Sequence, residues 1–308
     1  HLSIRRQRQM CIRDRTFTSN EPTTNFIATD ITLVGGSIGA LGTTSSSIYT
    51  ATFTPGGQGA TSISVAAGKF TDAGSTANVV SNTFAWTYDS TAPTMTVAST
   101  TVTTGGTSND GTIALTFATS ETTTNFIATD ITVTNGAISA FSGSDSSYTA
   151  TFTPTTDGPS TIKVAADAFT DAPGNGNTVS NTFAWTYDAT GPTMTITSAD
   201  LSNGGAFNAA TVLTFTSNED TADFVVGDIT VSNGALSLFQ SSTSKVYTAT
   251  FTPTGEGAAT IDVASPKFTD ASGNANSAAV QFAYTHDTTA PTMTITSTTV
   301  SSGDTSND

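Results

Sequence analysis

The sequence predicts an all-β chain of tandem immunoglobulin-like β-sandwiches of about 99 residues each, arranged as beads on a string. Three observations carry this expectation. The passage Trp185-Thr-Tyr-Asp-Ala-Thr-Gly-Pro-Thr-Met-Thr-Ile196 recurs as Trp86 to Val97 and as Tyr284 to Ile295, so Pro93, Pro192 and Pro291 follow one another at steps of 99 residues. Short runs alternate apolar with small or β-branched residues at a period of two, as half-buried strands do. Clusters of Gly, Asn, Asp and Pro separate those runs. A unit of this length can bury its own core, so the fixed period marks independent domains rather than turns of a solenoid.

The clearest copy shows the elements in order. Pro93 sets a backbone angle just before Met95 and Val97, which open the first strand. Gly105-Gly106 and Asn109-Asp-Gly111 mark turns, and then Ile113, Leu115 and Phe117 alternate with Thr112, Ala114 and Thr116. Ile131 with Val133 and Ile138 with Phe141 form two further strands, divided by Asn135-Gly136. Tyr148, Ala150 and Phe152 follow, then Ile162 and Val164, and Phe183, Trp185 and Tyr187 make the last inward face. Only Ala165 to Phe169 has the pattern of a helical turn. Seven short strands in one such unit is the signature of an immunoglobulin-like sandwich, here without its usual cysteine pair.

Repetition divides the chain into residues 16–90, an N-terminally truncated copy, then 91–190 and 191–289, and finally 290–308, the truncated start of a further copy. Thr23 to Thr32 returns letter for letter as Thr123 to Thr132, and Ser81 to Asp89 as Ser180 to Asp188. The natural protein is expected to continue in both directions. Residues 1–15 match no copy. Arg5-Arg-Gln-Arg-Gln-Met-Cys-Ile-Arg-Asp14 resembles the conceptual translation of a transposon-based sequencing adapter rather than a basic arm, and the segment is set aside as non-native.

Composition narrows the function. Charged residues make up only 11% of the chain, yet the net charge is −15. Every arginine lies in the first fifteen residues; beyond them Lys69, Lys163, Lys245 and Lys267 face 23 of the 24 carboxylates. Such a surface repels nucleic acid and anionic membranes and attracts cations. Cys11 is the only cysteine, so no disulfide joins the sheets. No run of apolar residues is long enough to insert in a membrane. The outward rows of Thr suit a pleated surface, and on a twisted sheet they are weak support for an ice-binding array. His286 replaces a Tyr found at 88 and 187, and no nucleophile–base pair or zinc ligand set recurs, so the chain is not expected to be an enzyme.

Four acidic positions recur: Glu21/Glu121/Glu219, Asp30/Asp130/Asp228, Asp72/Asp171/Asp270 and Asp89/Asp188/Asp287. Asp110 is matched by Asp308 but not by Ala209. In an immunoglobulin-like sandwich the chain enters at the end that carries the second-to-third and sixth-to-seventh strand loops. Glu121 belongs to the first of those loops, Asp171 to the second, and Asp89 arrives beside them on the linker. Asp188, Glu219 and Asp270 form the corresponding set one repeat later. Calcium takes six to eight oxygens, and converging loop acids can supply them. The plainer reading is that these acids form turns, and Asp130 with its equivalents fits it best.

The opener Asp-x-Thr-Ala/Gly-Pro-Thr, the Ser-Glu or Asn-Glu step before Asn-Phe or Asp-Phe, Phe-x-x-x-Asp-Ile and Phe-Thr-Asp-Ala-x-Gly-Asn together resemble bacterial Ig-like repeats. The resemblance covers essentially everything after Arg15, although Phe70-Thr-Asp-Ala-Gly-Ser-Thr76 lacks the Gly-Asn pair. It implies a repetitive stalk of a large secreted or surface adhesin or biofilm protein of a Gram-negative bacterium, often stiffened by calcium. The expected function is thus an extracellular stalk or spacer that projects a distal binding domain, with calcium at Asp89, Glu121, Asp171, Asp188, Glu219 and Asp270. Its expected partners are adjacent repeats of the same chain and, through domains outside this stretch, a surface or glycan ligand. Two alternatives stand beside it: weak multivalent binding of glycans or partners by the repeats themselves, and spacer modules of a secreted polysaccharide-degrading enzyme.

Overall fold

The computed structural model describes residues 13–221 and 223–307. Most of the adapter-like stretch, Cys11 included, and Asp308 lie outside the described residues. The chain forms two compact units. One runs through Thr104 and adds Thr112–Thr153 and Ser160–Ala184; the other comprises Gly105–Gly111, Pro154–Pro159 and the chain from Trp185 onward.

The second unit holds a complete sandwich. One sheet has the strand order Met194–Ser198, Thr211–Ser217, Val246–Pro253, Gly234–Ser241; the facing sheet runs Ala206–Phe207, Phe282–His286, Gly257–Val263, Ile229–Val231. Neighbours are antiparallel except for Ala206–Phe207, which pairs in parallel with Phe282–His286. The first strand is therefore shared between the sheets, as the immunoglobulin arrangement requires. The same unit carries Thr107–Ser108, parallel to Thr186 and Tyr187.

Alternation explains the core. Thr211–Ser217 buries Thr211, Leu213, Phe215 and Ser217 and turns Val212 and Thr216 outward. Leu213, Phe215, Phe251 and Ile261 are fully buried between the sheets, and each such side chain contributes on the order of 1.5–3 kcal/mol. Tyr247 donates its hydroxyl to the Thr221 carbonyl at 2.9 Å, which satisfies the one polar atom of a buried ring. Tyr49 and Tyr148 do the same at Thr23 and Thr123.

The Asn-Gly turn has a packing reason as well as a conformational one. Asn233 takes φ 51°, and a side chain on Gly234 would put its Cβ 2.3 Å from the ring of Phe251. Gly36 and Gly136 lie against Phe53 and Phe152 in the same way. The glycine lets the fourth strand cross directly over a core phenylalanine.

In the first unit, Ile113–Thr123 pairs with Met95–Ser99 on one side and with Gly136–Pro154 on the other. Ile131–Thr134 pairs with Gly158–Val164. The first repeat contributes Arg13–Thr18, Ile48–Pro55 and Gly36–Ile38, facing Ile31–Val34, Gly59–Val65 and Phe84–Tyr88. Its opening strand starts at Arg13, inside the segment set aside on sequence grounds. The register Arg15↔Ala51 matches Leu115↔Ala150, so Arg15 occupies a core leucine position. Its guanidinium lies 4.5 Å from the Trp86 ring centre and 5.2 Å from that of Phe84, a cation–π arrangement.

Ala165 to Phe169 forms bends and turns, not the helical turn expected of it. Asn177 holds these residues: its Oδ1 accepts the Phe169 N–H and its Nδ2 donates to the Ala165 carbonyl. The short helical pieces are instead 3-10 turns at Ala28–Asp30, Ala128–Asp130 and Val226–Asp228. Each is capped by its aspartate, as where Asp130 Oδ2 accepts the Ile127 N–H at 2.9 Å.

Candidate cation sites at the linker aspartates

The structure brings the six sequence-selected acids into two groups. Asp89, Glu121 and Asp171 place carboxylate oxygens within 4.8 Å of one another, and Asp188, Glu219 and Asp270 do the same.

The long loop after Gly158–Val164 delivers Asp171. Asn177, itself buried, ties down the base of this loop, and Thr123 pairs with Asp171 across an isolated bridge. Asp171 Oδ1 accepts the N–H groups of Gly174 and Asn175, both at 2.7 Å, and its Oδ2 accepts Asn175 Nδ2 at 2.8 Å. Glu121 sits near the end of Ile113–Thr123, whose inward Phe117 roots it in the core. Asp89 arrives on the linker, where its carbonyl accepts Asn175 Nδ2 at 3.3 Å.

The second group repeats this wiring. Asp270 Oδ1 accepts the N–H groups of Ser272 and Asn274. Asn274 Nδ2 donates both to Asp270 Oδ2 and to the Asp188 carbonyl, each at 2.9 Å, and the Ser272 hydroxyl donates to Asp188 Oδ2 at 2.8 Å.

Two acids beside each glutamate oppose its ionisation. Burial, reinforced by the charges of Asp89 and Asp171, pushes the Glu121 carboxyl above the ordinary glutamate range. Burial, together with Asp188 and Asp270, raises Glu219 in the same sense. The donor set is all oxygen and anionic, which suits a hard divalent cation and fits calcium chemistry.

Among the described residues the other recurring acids do not join a group of this kind. Asp30, Asp130 and Asp228 are the turn caps described above, which agrees with the plainer reading of them. Asp110 bonds to Ser108. In the first repeat Asp72 accepts the N–H of Thr76, and Thr76 stands where Asn175 and Asn274 bridge to the linker in later copies.

Sequence reasoning missed a second grip on the linker. Asp157 accepts the Ala189 N–H at 2.8 Å and the Thr190 hydroxyl; Glu256 accepts the Thr288 N–H at 2.8 Å and the Thr289 hydroxyl at 3.0 Å. Gln58 meets the Thr91 hydroxyl in the first repeat. These three positions also recur at steps of 99, but glutamine at 58 hid them from a search for repeated acids.

Linker and loop also touch through small residues. A Cβ on Gly191 would lie 2.0 Å from the carbonyl oxygen of Ala275. The corresponding residues one repeat earlier are Ala92 and Gly176, the same pair reversed. Gly191→Ala is therefore expected to destabilise the third sandwich by about 1–3 kcal/mol through overpacking. Adding Ala275→Gly should return part of that loss by letting the loop backbone shift, which calorimetric unfolding of the single and double variants would register.

Two layered sheets, a shared first strand and a tyrosine bonded back across the core define the immunoglobulin-like class of β-sandwich. The family described as "Bacterial Ig-like domain" matches residues 12–88, 89–187 and 188–285. The chain belongs to that family, in three tandem copies.

No curated protein sequence matches. Among solved structures the chain is similar to invasin, described as a bacterial integrin-binding protein, at 15% identity and a TM-score of 0.34, over 82% of this chain and 56% of that one. It is similar to the Yersinia pseudotuberculosis adhesin InvE at 16% identity and a TM-score of 0.23, over 63% of this chain and 58% of that one. It is also similar to domains 4–9 of the surface layer protein SbsC at 14% identity and a TM-score of 0.23, over 87% of this chain and 41% of that one. The chain thus spans between two fifths and three fifths of those structures. Among the described residues no helix is long and apolar enough to cross a membrane.

Proposed function

We propose that this chain is a section of an extracellular stalk in a large bacterial adhesin. Its repeats hold a distal binding domain away from the cell, and calcium at the linker aspartates restricts bending from one repeat to the next. One observation carries the reading: the carboxylate group at Asp89 is rebuilt at Asp188, each joining a linker aspartate to a glutamate of the sandwich that follows and to an aspartate in a long loop. Glu121 lies inside the end of a strand rather than in the loop expected of it, and Glu219 lies just past a strand. An ion held by Asp89, Glu121 and Asp171, or by Asp188, Glu219 and Asp270, would neutralise charges that otherwise repel. It would also tether the linker to the sandwich. Asn175 and Asn274 already hold the linker carbonyls, so the cation would strengthen an orientation that the loops prepare.

Thermal unfolding of the full chain tests this. Saturating calcium after EDTA is expected to raise the midpoint of the second and third sandwiches by about 10 °C or more. The first sandwich has no linker aspartate among its described residues, and its transition should stay where it is. An unchanged midpoint for all three would refute the calcium assignment.

A further inference from the structure

An asparagine also recurs beside the linker. Asn109 of the second repeat returns as Asn208 in the third. The strand that leads into the linker places it. Thr107 and Ser108 pair in parallel with Thr186 and Tyr187. The Thr186 N–H donates to the Gly106 carbonyl at 2.9 Å, and the Asp188 N–H to that of Ser108 at 3.1 Å. Asn109 therefore emerges next to the linker aspartate. Its turn is fixed on the other side as well: the Ser108 hydroxyl donates to Asp110 Oδ2 at 2.7 Å and accepts the Asp110 N–H at 3.1 Å. Asn208 is carried in the same way, since the Thr285 and Asp287 N–H groups donate to Gly205 and Phe207.

The side chain of Asn109 reaches into the following repeat. Its Nδ2 donates to Asn274 Oδ1 at 3.1 Å across 165 residues of sequence. Both residues lie within the second compact unit. Asn109 Nδ2 also stands 3.6 Å from where a Cβ on Gly273 would be, so the turn rests on the backbone of that loop. Asn274 is thereby fully used. Its oxygen accepts Asn109, and its Nδ2 donates to the Asp188 carbonyl and to Asp270 Oδ2. One amide joins a turn of the second repeat, the linker and a loop of the third.

We propose that the turn Ser108–Asp110 is a docking surface for the Ser272–Asn274 loop of the repeat that follows, a clasp between neighbouring repeats that needs no cation. The bond that closes it runs between two neutral amides, so it does not depend on neutralising Asp188, Glu219 and Asp270. Donor and acceptor are also fixed by the other bonds of Asn274: both of its amide protons are already given away, and only a donor fits at position 109. The clasp stands apart from the calcium assignment, and either can fail without the other.

Hydrogen exchange of the full chain in EDTA tests it, read at the core amides of Thr211–Ser217 in the third sandwich. Asn109→Ala is an exposed change in the second repeat. It is nevertheless expected to raise the unfolding constant of the third sandwich by about two- to fivefold. Asn109→Asp should cost more, because it sets an acceptor against Asn274 Oδ1 and a charge beside Asp188 and Asp270. That excess should shrink in high salt. With Asn274→Ala already in place, Asn109→Ala should move the same amides no further. Third-sandwich amides that ignore both Asn109 variants would overturn the proposal. Equal losses from Asn109→Ala with and without an intact Asn274 would overturn it too.

Discussion

Asn276→Ala is expected to lower the stability of the third sandwich by about 3–5 kcal/mol, more than any surface change in the chain. Asn276 is buried, and its side chain makes four bonds to backbone groups. Oδ1 accepts the N–H groups of Lys267 and Phe268 at 2.7 and 3.1 Å, while Nδ2 donates to the carbonyls of Ala264 and Ser277 at 3.0 and 2.8 Å. Alanine leaves all four without that partner in a place water reaches poorly. Asn276→Asp keeps an acceptor for the two N–H groups but gives the carbonyls no donor, so roughly half the loss should remain. Calorimetry reads the stability, and hydrogen exchange at the Lys267 and Phe268 amides reads the loop itself. The same loop carries Asp270, so terbium luminescence at the acidic group should weaken in step with the loss of protection.

Glu219→Gln is expected to act in opposite directions with and without calcium. In EDTA, burial and the charges of Asp188 and Asp270 disfavour the charged form of the Glu219 carboxyl in the folded state. Removing that charge should raise the midpoint of the third sandwich. In saturating calcium the same change removes a ligand and should lower it, because the gain from binding, on the order of 3–4 kcal/mol at 100 to 1,000 times the dissociation constant, shrinks with affinity. The pH dependence follows the same logic. A carboxyl whose folded pKa is raised binds its proton more tightly in the folded state. Without calcium, stability is therefore lost as pH rises from the ordinary glutamate value through the raised one. With calcium the slope should reverse, since protons compete for the ligand oxygens as pH falls. Glu219→Gln should flatten both slopes. Midpoints that move in the same direction in both buffers would exclude Glu219 as a ligand.

The fold was legible because its determinants are local and repeated. Alternation at Ile113, Leu115 and Phe117 and turn chemistry at Asn135-Gly136 specify strands and their breaks without knowledge of the partner strands. Once strand order is granted, the two ends of the sandwich follow, which is how acids 82 residues apart, such as Asp89 and Asp171, could be assigned to one place. What stayed hidden depends on contacts across the chain. Asn175 and Asn274 were visible in a motif, but nothing local says that their side chains reach a linker carbonyl. Asp157 and Glu256 lie in a short turn that crosses from one sheet to the other, where acids are ordinary, and only their distant threonine partners give them a role. The turn at Ala165 to Phe169 misled for the same reason. Its apolar pattern is real, but the side chain of a buried asparagine claims its backbone groups before a helix can.

The parallel pairing of Ala206–Phe207 with Phe282–His286 has a mechanical meaning. The Gly204 N–H donates to Ala283, the Thr285 N–H to Gly205 and the Asp287 N–H to Phe207, at 2.7, 2.9 and 3.2 Å. These bonds join the first part of the sandwich to its last strand, and the two segments run in the same direction. A pull on the two chain ends drags such segments past each other, so the bonds are loaded side by side and must fail together. An antiparallel hairpin pulled from its open end would instead give way one bond at a time. Under such a pull the patch would act as a shear clamp, concentrating the load a sandwich bears before it extends in a few residues at its rim.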